Sequence, residues 1–288
     1  LPGTAKHLKL DFSNFSYFLW KLIQGVHCLD IIKTFNGRTD MLKRSSSFVV
    51  GVFVLFLSPV IASAQWTTSG PDWKQPVSSF LGEVTTSLSP AKINAAVRQR
   101  RPRPRTANSS GSTPAATLGA RSLLFTPLGN SGVDRELVNS LTAKADEREA
   151  LLTVLRATKK AYEAEVAKVR KSNNVAAALT FFIATCVTVY NDAAEPSDAA
   201  TENLMEALSE LLSAAPEIAR LSNRDKQNLH DRLVYVSGLI LAGYINGKQT
   251  NDEASLVDFR LLAGVCLQSV MQLEPQRLHF NETGLVIE

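Results

Sequence analysis

Apolar positions recur with a helical period through the second half of the chain. From about Val133, the residues Leu151, Leu155, Tyr162, Val166 and Val169 fall at spacings of three, four and seven. Such spacing places them on one face of a long amphipathic helix ending near Lys171. Asp134 or Asp146 is positioned to cap its start, and Lys168, Arg170 and Lys171 meet the negative end of its dipole. Ser172-Asn173-Asn174 then supplies cap chemistry for a second helix, Val175 to about Tyr190, which is apolar on nearly every side. A helix of that kind is buried among others. Its length of about 24 Å falls short of a bilayer core of about 30 Å.

A third helix is expected from Asp198 to about Ser213, with Leu204, Leu208, Leu211 and Leu212 facing inward, until Pro216 stops it or opens a short helical turn. Ser222-Asn223 caps a fourth, in which Leu229, Leu233, Val236, Ile240 and Tyr244 line up and Asn246-Gly247 provides a left-handed C-terminal cap. Thr250 or Asn251 starts a fifth through Leu256, Phe259, Leu262, Cys266 and Met271, ending before Pro275. No strand is predicted, and Gln276 to Glu288 reads as a tail crossing the surface. The fold class is therefore all-α: a single bundle of about five helices over residues 131–288, long enough for one domain with a real core.

The first half reads differently. Met41-Leu42-Lys43-Arg44 precedes an almost unbroken apolar run from Phe48 to Ile61, closed by Ala62-Ser63-Ala64 before Gln65. A basic start, a short apolar stretch and a small-x-small site describe a secretory signal peptide over residues 41–64. Residues 1–40 are then expected to be an upstream extension. A membrane anchor over Phe12 to Ile32 is disfavoured because Lys21, His27 and Asp30 interrupt it. Residues 65–130, rich in Ser, Thr, Pro and Gly, are expected to form a mostly disordered, low-complexity basic arm. Within it Arg98, Arg100, Arg101, Arg103 and Arg105, interleaved with Pro102 and Pro104, make an extended cationic segment suited to an anionic polymer, a lipid head-group surface or the protein's own acidic domain.

Export changes the charge balance. The full chain carries 31 basic and 27 acidic side chains, but residues 1–64 hold seven of the basic and three of the acidic ones. The remainder is neutral with 24 of each, divided into a basic arm and an acidic domain. No nucleic-acid partner is expected, and no transmembrane span in the mature chain.

Candidate chemistry is sparse. His230 and His279 are the only histidines after residue 64. Neither sits in an HExxH run or a Cys/His cluster, so no metal or cofactor is expected. Gly243 to Lys248 is one residue short of a phosphate loop and continues with Gln249 rather than Ser or Thr. Glu202, Glu206 and Glu210 repeat every four residues and share an acidic helix face, either an ordinary solvated face or a site for a cation or the Arg-Pro segment. Asn173, Asn174, Lys226 and Gln227 form a polar set at two helix starts, either lining a cleft or capping helix ends; Lys226, a cation in a first turn, calls for a carbonyl or carboxylate partner. Cys186 and Cys266 are an even pair in an oxidising compartment and a possible disulfide, or two small buried hydrophobes.

Over roughly residues 133–287 the chain resembles an uncharacterised family of exported bacterial helical proteins, a domain of unknown function. The resemblance rests on Asn173-Asn174-Val175-Ala176, on Lys226-Gln227 and on the closing segment Leu278 to Ile287 around Gly284. An acidic residue commonly follows the Asn-Asn-Val-Ala run in that family, where Ala177 stands here. It implies an exported helical fold and no particular chemistry. The expectation is a non-enzymatic binding or structural module of the cell envelope, with an anionic envelope polymer or another envelope protein as partner. The alternative is an enzyme, perhaps a hydrolase, using carboxylates such as Glu202 or the Asn/Lys/Gln set.

Overall fold

The computed structural model describes residues 73–99 and 123–288. The upstream stretch 1–40, the signal segment 41–64 and the arginines 100, 101, 103 and 105 lie outside those residues. In chain order the elements are α1 (Lys74–Ser87), α2 (Pro90–Gln99), α3 (Val133–Leu141), α4 (Ala145–Lys168), α5 (Val175–Asn191), α6 (Asp198–Ala214), α7 (Pro216–Arg220), α8 (Asn223–Thr250) and α9 (Glu253–Met271). A 3-10 turn (Pro275–Arg277) leads into β1 (Leu278–Asn281) and β2 (Gly284–Ile287).

Every residue of α5 from Val175 to Val189 is buried, and the helix packs against α8, α9 and α6. This is the central position predicted from its all-round apolar sequence. Asn174 caps it by accepting the backbone N–H groups of Ala176 (2.8 Å) and Ala177 (3.3 Å). Ser197 caps α6. Ser222 and Asp225 close a reciprocal capping box at the start of α8. Among the described residues, α9 alone is long and apolar enough to cross a membrane, and 56% of its apolar window is buried inside the fold.

Four expectations are corrected. Residues 74–99 are not a disordered arm. They form α1 and α2, whose Val77, Leu81, Val84 and Leu88 make a fully buried stripe against α9, α8 and α3. Each such side chain contributes about 1.5–3 kcal/mol on burial, which offsets the ordering entropy of a Ser/Thr-rich segment. The predicted single helix over 133–171 is two. Thr142 adopts extended backbone, its hydroxyl donates to Glu147 Oε2 (2.6 Å) and its oxygen accepts the Lys144 N–H (3.2 Å), restarting the helix as α4. Asn246-Gly247 does not end α8, which runs on to a left-handed Asn251. A Cβ at Gly247 would stand 3.0 Å from Leu256, and one at Gly243 would overlap the Phe259 ring, so these glycines serve the close approach of α9.

The C-terminal tail is an antiparallel hairpin. Leu278 pairs with Ile287 and Asn281 with Gly284. Asn281 closes the turn by accepting the N–H groups of Thr283 (2.9 Å) and Gly284 (3.0 Å). The hairpin is tied to the bundle where Asn203 Nδ2 donates to the Thr283 carbonyl (2.7 Å) and Asn191 Nδ2 to the Leu278 carbonyl (2.8 Å). Leu278 and Leu285 enter the core.

Candidate functional site

Asn223, Gln227 and Asp231 recur every four residues along α8 and therefore stand above one another on one face. Along that face runs the strap 123–132, which leads into α3. At its N-terminal end the strap lies beside residues 173–175, with Leu124 bridged to Asn174. The Phe125 N–H donates to the Asn173 carbonyl (3.1 Å) and the Val175 N–H to the Leu123 carbonyl (3.2 Å). The three α8 side chains then take the strap in turn. The Thr126 N–H donates to Asn223 Oδ1 (3.3 Å) and the Leu128 N–H to Gln227 Oε1 (2.8 Å). Gln227 Nε2 donates to the Gly129 carbonyl (2.6 Å), and the Ser131 hydroxyl donates to Asp231 Oδ2 (2.6 Å). Gly129 and Gly132 turn the chain at φ +80° and +79°, and Gly132 opens α3.

Asp231 is the hub. It is 1% exposed, and its second oxygen, Oδ1, accepts from Lys159 Nζ of α4 (2.9 Å) and from His230 Nδ1 (3.0 Å). Burial alone would raise its carboxyl, but the hydrogen bond from His230, the Lys159 charge and the Ser131 hydroxyl outweigh burial and hold it below the ordinary carboxylate value. Lys159 also lies 5.4 Å from the centre of the Tyr235 ring. A second buried carboxylate, Asp134 of α3, accepts from Arg156 Nε of α4 (2.8 Å). Strap, α3, α4 and α8 are thus joined by charged contacts around one buried region.

His230 and Tyr162 complete that region from the apolar side. The His230 ring lies 5.2 Å from Phe125 of the strap and 5.6 Å from Tyr162, and Tyr162 in turn lies 5.0 Å from Phe181 of α5. Because the Asp231 carboxylate only accepts, His230 Nδ1 carries the proton of that hydrogen bond, and in that tautomer Nε2 is the ring's acceptor. His230 Nε2 and the Tyr162 hydroxyl are both buried without a hydrogen-bond partner. Burial, then Glu163 and Asp231, push the Tyr162 phenol well above its usual range, so it stays a neutral donor.

Of the predicted polar set, the structure brings Asn173, Asn174 and Gln227 to one strap. Asn173 adopts a left-handed φ of 54°, which asparagine tolerates better than most side chains, and offers its carbonyl. Lys226 is buried near the start of α8, and its side chain makes no ion pair or hydrogen bond with the described residues, so the expected carbonyl or carboxylate partner is not found among them. Glu206 and Glu210 are exposed on α6 and Glu202 is half-buried beside them. Arg98 is exposed near the end of α2, which packs against α6. Cys186 and Cys266 are unbonded, fully buried thiols, the second of their two readings. They sit in the packed interior of α5 and α9, where burial pushes both thiols up.

Ser131, Lys159, Tyr162 and Asp231 were not singled out as site residues by sequence pattern. The usable signal was the run Asn223, Gln227, Asp231 at four-residue spacing, one face of the polar N-terminal part of α8.

No curated protein and no solved structure matches the chain. The family match extends well ahead of the segment 133–287 and takes in α1, α2 and the strap. The chain belongs to a family of unknown function, DUF6683, which it matches over residues 46–288.

Proposed function

We propose that the protein is exported by cleavage between Ala64 and Gln65 and that its helical domain acts as a non-enzymatic binding or structural module of the cell envelope. Export is supported by the basic start at Lys43-Arg44, the apolar run Phe48 to Ile61 and the small-x-small site Ala62-Ser63-Ala64. The observation that carries the non-enzymatic reading is the pairing at Asp231. Ser131, Lys159 and His230 occupy both carboxylate oxygens, so this charged cluster spends its groups on holding the strap and α4 to α8. Contact with a partner falls to charged groups outside that cluster, and the sequence of the Arg-Pro run beginning at Arg98 supplies cationic groups for an anionic envelope polymer.

The test has two arms. Fractionation of the host with N-terminal sequencing is expected to find the chain outside the cytoplasm with Gln65 first; an uncleaved cytoplasmic chain overturns export. Co-sedimentation with isolated envelope material is expected at low salt and to fall when Arg98, Arg100, Arg101, Arg103 and Arg105 are all changed to Ser. Sedimentation unchanged by that substitution removes the arm as the contact.

A further inference from the structure

Two polar atoms in the region under the strap have no partner. His230 is 3% exposed and Tyr162 is 2% exposed, and neither His230 Nε2 nor the Tyr162 hydroxyl finds a hydrogen bond in the fold. Buried polar groups are nearly always satisfied, so an unsatisfied pair on neighbouring rings requires an explanation. Their roles are complementary. Asp231 fixes Nε2 of His230 as an acceptor, and the neutral phenol of Tyr162 both donates and accepts. The surroundings are aromatic: Phe125 stands against His230 and Phe181 against Tyr162. The cover is a strap whose attachment to α8 is polar, through Asn223, Gln227 and Asp231, and which turns at two glycines of positive φ.

We infer that the strap closes over a binding site for a small apolar molecule bearing one hydroxyl, an alcohol or phenol, whose O–H donates to His230 Nε2 and whose oxygen accepts from Tyr162. The aromatic walls take the apolar body and the two orphan atoms select the hydroxyl. A hydrocarbon of the same shape leaves both atoms unsatisfied and binds more weakly. A site made to hydrogen-bond a hydroxyl rejects the analogue lacking it for this reason. Lifting the strap breaks polar contacts that water replaces and withdraws Phe125 from its place against His230, which opens a way in for the ligand. The inference is independent of export and of the envelope partner, and a failed fractionation leaves it standing.

The experiment titrates the purified full chain with phenol and, in parallel, with toluene, reading the thermal midpoint and the 15N resonances of the His230 ring. The expected result is a raised midpoint and a shift of the Nε2 resonance with phenol, with toluene weaker by about tenfold or more. Tyr162→Phe keeps the ring and removes one partner, and is expected to weaken phenol about tenfold while leaving toluene unchanged. His230→Gln, with its helicity checked by circular dichroism, is a second variant with the same expectation. Equal response to phenol and toluene, no response to millimolar phenol, or phenol binding unchanged in Tyr162→Phe each overturns the site. In the case of no response, a trapped water is what satisfies the two atoms.

Discussion

The Ser131 hydroxyl reaches Asp231 at 2.6 Å, and this one bond joins the end of the strap to the charge that also holds α4. Asp231→Asn keeps the shape of the side chain but removes the charge and one acceptor. Hydrogen bonds to a charged group contribute about 1.5–3 kcal/mol each, and Lys159 at 20% exposure can turn partly to water. The expected loss is about 2–3 kcal/mol in denaturant unfolding, against about 1 kcal/mol for Ser131→Ala. Hydrogen exchange separates local from global effects: both variants lose protection at the amides of Thr126 and Leu128, while α5 amides follow global stability alone.

The same residue sets an acid limit. The Asp231 carboxyl is held below its ordinary value of 3.8 in the folded state, so the unfolded chain binds its proton first as pH falls. Its contribution is fully present above that ordinary value and is lost progressively as pH drops through the lowered folded value. Unfolding free energy measured from neutral pH downward is expected to fall below about pH 4, and Asp231→Asn is expected to flatten that slope. An identical slope in the variant assigns the acid limit to other carboxylates, such as Asp192, which is held low against burial by Lys248 and Tyr244.

Arg232 fastens α1 to the bundle. Its guanidinium donates to both oxygens of Glu136 (2.9 Å each) and to the Phe80 carbonyl (3.1 Å), pairs with Glu83 (2.7 Å) and lies 4.4 Å from the centre of the Phe80 ring. A planar fork makes these contacts together and an ammonium does not. Arg232→Ala is expected to cost about 2–3 kcal/mol and Arg232→Lys to recover only part of it. Limited proteolysis is expected to cut first within residues 74–99 in both variants. Unchanged protection there places the main anchorage of α1 in its apolar stripe instead.

Legibility in the sequence followed the strength of each local signal. α5, α6, α8 and α9 were readable because their apolar positions are dense and Asn174, Ser197 and Ser222 are strong caps. α1 was not, although Val77, Leu81, Val84 and Leu88 keep a helical spacing, because the Ser and Thr residues between them and Pro76 and Pro90 on either side resemble linker composition. The hairpin was missed since Leu278 to Ile287 is short and its turn is built by the Asn281 side chain rather than by an Asn-Gly pair. For the site, Asn173, Asn174 and Gln227 were legible as polar residues at helix starts. That one strap joins them depends on the pairing of residues 123–125 with 173–175, some fifty positions apart, which no local pattern encodes.

Two helical glycines give opposite expectations that test the packing of α8 and the reality of α1 together. Gly82 lies in α1 with nothing within 4 Å of a built Cβ, so Gly82→Ala removes unfolded-state freedom at no steric cost. It is expected to stabilise by about 0.5–1 kcal/mol, which follows only if residue 82 is helical in the folded chain. At Gly243 the same methyl would overlap the Phe259 ring of α9. Gly243→Ala is expected to destabilise by about 3 kcal/mol, at the upper end of overpacking costs. Gly243→Ala combined with Phe259→Leu is expected to recover part of that loss, because the smaller side chain makes room for the methyl and the two changes couple. Thermal unfolding of Gly82→Ala, Gly243→Ala, Phe259→Leu and the double variant decides it: additive losses in the double variant would mean that α8 and α9 do not meet at this pair.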